Sequence, residues 1–69
     1  MKEAVYRFDA EEGHLAVTVM GDGRIIVGAF DNNNSEDADI EVSAAELYQI
    51  GTAFQTMAKL ADARKMEPA

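Results

Sequence analysis

With 69 residues and 7.5 kDa, the chain has room for one hydrophobic core and no second domain. Thirteen acidic residues against six basic ones give a net charge of −7, which argues against direct binding to nucleic acid or an anionic membrane and points to basic partners. There is no cysteine, so disulfide scaffolds, thiolate metal sites and cysteine nucleophiles are excluded; the 48% hydrophobic content is that of a folding chain.

No apolar run of signal-peptide length precedes Asp9, no stretch approaches the roughly 18 apolar residues of a bilayer span, and Met66-Glu67-Pro68-Ala69 matches no lipidation signal. A soluble cytoplasmic protein is expected. Residues 4–8 alternate Ala4, Tyr6 and Phe8 against Val5 and Arg7, the period of two of a strand. Residues 14–20 are rich in β-branched side chains, and Asp22-Gly23 is a pair favoured in two-residue hairpin loops. Residues 24–30 are the partner strand. A two-residue loop places Val19 opposite Ile26, Val17 opposite Gly28 and Leu15 opposite Phe30.

After a polar loop over 31–35, Ala38, Ile40 and Val42 alternate with Asp37, Asp39 and Glu41, predicting a fourth, edge strand over 37–42 with one carboxylate face. Ser43-Ala44-Ala45-Glu46 matches the capping box, in which the serine hydroxyl accepts an orphan backbone N–H and the glutamate reaches back to the cap. A helix over 44–66 follows, with Leu47, Ile50, Phe54, Met57 and Ala61 on one stripe and Pro68 limiting it. The expected fold is α+β: a small antiparallel meander of three to four strands with the helix packed across one face, ββββα.

In that register Leu15, Val17, Val19, Ile26, Gly28 and Phe30 lie under the helix, while the reverse face keeps Ala16, Met20, Ile25, Val27 and Ala29. A sheet covered on one side has a polar outer face, so the apolar reverse face predicts a homodimer or a bound partner. The alternative is cover by loops or by the first strand. Tyr48, Thr52 and Gln55, an uncharged stripe on the outer helix face, form a second candidate contact surface.

Catalysis is not expected. The single histidine, His14, follows Glu11 and Glu12, but no motif joins it to either serine as base to nucleophile, and so short a chain has little concave surface to enclose a substrate. Asp31, Asn33, Ser35 and Asp37 alternate like the first ligands of a calcium loop, yet Glu36 stands where the turn needs glycine and Val42 where a bidentate glutamate is required. No catalytic, metal or cofactor site is assigned.

The charge is concentrated. Residues 25–58 carry six acids, Asp31, Glu36, Asp37, Asp39, Glu41 and Glu46, and no base. On an extended strand Asp37, Asp39 and Glu41 repeat at roughly 6.5 Å, of the same order as the phosphate spacing of a nucleic-acid strand. Asp31, Glu36, Asp37, Asp39 and Glu41 are therefore the candidate contacts to a basic groove, with solvated edge protection as the alternative. In size, charge and the acidic stretch from Asp31 to Glu46, the chain resembles the small acidic proteins that phages use against host nucleic-acid machinery, anti-CRISPR proteins in particular. The resemblance implies a compact α+β inhibitor acting in the host cytoplasm on a basic effector surface, and it carries over no binding residue. The competing reading is a homodimeric accessory domain without inhibitory role.

Overall fold

The computed structural model describes residues 2–66; the expectations for Pro68 and the C-terminal tail lie outside the described residues. Four strands, β1 (Ala4–Asp9), β2 (Gly13–Val19), β3 (Ile25–Asp31) and β4 (Glu36–Val42), form one antiparallel sheet in the order β1-β2-β3-β4. Helix α1 (Ala44–Met66) follows β4 after a single residue. This is the expected ββββα meander, with β1 and β4 as edges.

The β2–β3 register differs from the expected one by one residue. Val19 pairs with Ile25, Val17 with Val27 and Leu15 with Ala29. The loop has three residues, Gly21-Asp22-Gly23, closed by Met20 N–H to Arg24 O at 2.8 Å and Gly23 N–H to Met20 O at 2.9 Å. Gly23 adopts φ +92°, so the left-handed residue ends the loop in the bulged three-residue hairpin pattern. Asp22 keeps negative φ and accepts from the Arg24 backbone N–H at 3.1 Å, whereas a two-residue loop of the expected kind needs positive φ at both Asp22 and Gly23.

A one-residue slip exchanges the faces of a strand. Ile25, Val27 and Ala29 therefore lie on the same face as Leu15, Val17 and Val19, not behind them. Pairing across the other two ladders adds Ala4, Tyr6 and Phe8 from β1 and Ala38, Ile40 and Val42 from β4. One face is thus apolar across all four strands. The other carries Arg7, Asp9, His14 and Thr18 together with Asp37, Asp39 and Glu41, interrupted by Val5, Ala16, Ile26 and Phe30. Met20 falls, by alternation, on this second face and is separated from Ile25, Val27 and Ala29, with which it was expected to form one surface.

The helix forms where the capping box predicts it. Ser43 N–H donates to Glu46 Oε1 at 2.8 Å and Glu46 N–H donates to Ser43 Oγ at 3.1 Å, the reciprocal pair that satisfies orphan donors at a helix start. The bond from Ser43 N–H to its carboxylate, helped by the nearby Ser43 hydroxyl, holds the Glu46 carboxyl below its ordinary value. The helix is not, however, packed across its own sheet: it makes only marginal contact with the strands and buries no residue. Leu47 and Ile50 in its first turns are half-buried, but Phe54 is 58% and Met57 60% exposed. Ile25, opposite Val42 at the corner where β4 becomes the helix, is the one buried hydrophobic side chain among the described residues. The Cα trace accordingly spans 51 × 29 × 16 Å with a radius of gyration of 14.8 Å, against about 11 Å for a compact domain of this length.

Candidate binding surface

The expected acidic row divides in two. Asp37, Asp39 and Glu41 project from the polar face of β4, directly opposite Phe30, Gly28 and Ile26 of β3, and all three acids are exposed. As β4 is an edge strand, the row lies along an open rim of the sheet. Among the described residues none of the three forms an ion pair. The one cation in the polar face's strands is Arg7, aligned with Asp39 through Ala16 and Gly28 but three strands away, about 14 Å at normal strand spacing. That exceeds the Debye length of about 8 Å at physiological salt, so Arg7 hardly offsets the row. Arg7 is also engaged, donating from Nε to Asp9 Oδ1 at 2.9 Å.

Gly28 makes room for the middle carboxylate of the row. A Cβ at this position would collide with the Asp39 carboxylate, so the absence of a side chain lets Asp39 lie over the β3 backbone. Gly51 has open space around it.

Asp31 and Glu36 do not belong to the row. They pair with each other at the ends of β3 and β4, in the register of the apolar face. Asp31 organises the four-residue loop: its Oδ1 accepts from Asn33 N–H at 2.9 Å and its Oδ2 from Asn34 Nδ2 at 3.0 Å. Ser35 completes the reversal at φ 55°, a left-handed conformation at a non-glycine residue. The carboxylate that headed the calcium-like spacing is thus committed to its own loop. Among the described residues no cluster of three or more histidine or carboxylate side chains is arranged to hold a metal ion.

His14 stacks on its cross-strand partner Phe30, with ring centroids 5.2 Å apart and planes at 19°. Its Nδ1 lies 3.4 Å from Arg7 Nη2. This is aromatic cross-strand packing next to a cation, and neither serine is placed against it: Ser43 caps the helix and Ser35 turns the β3–β4 loop. The stacked pair was missed in the sequence because the expected register set Phe30 opposite Leu15.

The uncharged stripe of Tyr48, Thr52 and Gln55 is exposed and lines a shallow groove together with Ala44, Leu47 and Gly51. Thr52 is turned inward along the helix, its Oγ1 donating to the Tyr48 carbonyl at 3.2 Å. Among the described residues no helix is long and apolar enough to cross a membrane. Comparison with protein families, with curated proteins and with solved structures finds no match.

Proposed function

We propose that the protein is a non-enzymatic binding protein that presents the Asp37, Asp39 and Glu41 row to a basic surface, acting as an acidic inhibitor or nucleic-acid mimic of a nucleic-acid-binding effector, in the manner of the anti-CRISPR proteins it resembles. The supporting observation is the placement of three exposed carboxylates along one face of an edge strand, with no ion-paired cation among the described residues and no cationic cross-strand neighbour. An open rim allows a groove-shaped partner to approach the row without a clash from a further strand. A repeat of roughly 6.5 Å along the strand suits lysines and arginines that otherwise track a phosphate backbone. Charge then governs encounter rate and specificity, and the neighbouring Phe30 and Ile26 add apolar contact.

The test is affinity capture from a host lysate on the immobilised protein at low and high salt, repeated with the D37K/D39K double variant. The expected result is retention of a basic, nucleic-acid-binding partner that is eluted by salt, is lost in the variant and is released by competing DNA or RNA. Retention unaffected by the double charge reversal refutes the proposal.

A further inference from the structure

The chain exposes 5925 Å² of surface. A compact monomer of its mass exposes about 4,200 Å², so about 1,700 Å² per chain is in excess. Large exposed apolar side chains cluster in two places, besides single ones such as Val5, Tyr48 and Met66. One is the sheet face, where Tyr6 is 70%, Phe8 55% and Ile40 58% exposed. The other is the helix stripe carrying Phe54 and Met57.

We infer that the occupant of the apolar sheet face is a second copy of this chain, and that the two copies exchange helices, each α1 lying across the other's sheet. The area supports a second copy. Removing the excess from both chains buries about 3,400 Å² in total, and reaching the surface of a compact particle of twice the mass requires about 4,800 Å². Both figures fall within the roughly 2,000–5,000 Å² of obligate homodimers, whose interfaces resemble a domain core cut in two. Exchange follows from complementarity. Each chain has an uncovered sheet face and an uncovered helix stripe, the two halves of a helix-on-sheet core, and a two-fold axis satisfies both in both copies at once.

The connection favours exchange over closure within one chain. Only Ser43 separates β4 from α1, a link shorter than the usual strand-to-helix turn of about 2–6 residues, which leaves little slack for folding back, and the helix makes only marginal contact with its own strands. A 23-residue helix is about 34 Å long, enough to cross a four-stranded sheet of about 19 Å and continue beyond it. The polar face with its acidic row remains outside in such a dimer, so the inference does not depend on the proposed function. Two chains of −7 repel, so salt strengthens this association while weakening that with a basic partner.

Sedimentation equilibrium and thermal melting of the full chain across a hundredfold range of micromolar concentration test the inference. The expected result is a species of about 15 kDa whose melting temperature rises with protein concentration. F54D, which alters only the helix stripe, and I40D, which alters only the sheet face, each abolish the 15 kDa species. Mixing them restores it, because a mixed dimer contains one unaltered helix on one unaltered sheet. A 7.5 kDa species with a melting temperature independent of concentration overturns the second copy as occupant. A dimer that survives F54D, or no recovery on mixing, overturns the exchange.

Discussion

Replacing Gly23 by alanine isolates the backbone cost of the β2–β3 loop. Gly23 has φ +92° and nothing within 4 Å of the position its Cβ would take, so the substitution creates no collision and its penalty is conformational alone. An L-residue held in this region loses about 1–2 kcal/mol. At about 4–8 °C per kcal/mol for a domain of this size, that is a fall of roughly 4–16 °C in melting temperature, read by circular dichroism at fixed protein concentration. Asp22→Gly separates the two loop geometries. In the three-residue loop it destabilises, because it removes the carboxylate that accepts from Arg24 N–H and Arg24 Nε; in a two-residue loop it relieves a positive φ and stabilises. A Gly23→Ala variant as stable as the parent, or a stabilised Asp22→Gly variant, refutes the three-residue loop and with it the partition of the sheet into an apolar and a polar face.

Glu46 gives the helix a pH dependence. Its folded pKa lies below the ordinary glutamate value of 4.5, so its stabilising effect is complete above that value and is lost as pH falls through the folded one; Glu46→Ala lowers helicity at neutral pH, and the gap to the parent narrows in acid. At Gly13 an added Cβ would collide with the Phe30 carbonyl, so Gly13→Ala costs on the order of 1–3 kcal/mol in chemical denaturation, and an unchanged midpoint contradicts the close approach of β2 and β3 there. Asp31→Ala removes two loop hydrogen bonds and costs about 0.5–1 kcal/mol, yet leaves partner retention intact where D37K/D39K abolishes it. Loss of retention in Asp31→Ala at full foldedness returns Asp31 to the binding row.

Local chemistry made much of the chain legible. Alternation located β1 and β4, β-branched residues located β2, the Asp22-Gly23 pair located β3 as its hairpin partner, and Ser43 with Glu46 marked the helix start at Ala44. Each of these signals resides in residues a few positions apart, and each acts through the backbone or a neighbouring side chain. The carboxylate face of β4 was legible for the same reason: strand alternation alone puts Asp37, Asp39 and Glu41 together.

What the sequence by itself determined is therefore the order and extent of the elements and the acidic row. The tertiary structure decided the pairing and the packing. Gly21-Asp22-Gly23 accommodates a two-residue or a three-residue loop, and the φ of Gly23 together with the bond from Arg24 N–H to Asp22 selects the latter, moving Ile25, Val27 and Ala29 onto the face of Leu15, Val17 and Val19. Asp31 and Glu36 left the acidic row because their side of the strand and the Asn33 and Asn34 contacts depend on how β3 turns into β4. The stripe of Phe54 and Met57 announces that the helix must be covered but not by which chain, since apolar burial has no direction and the area it removes from water counts equally within and between molecules.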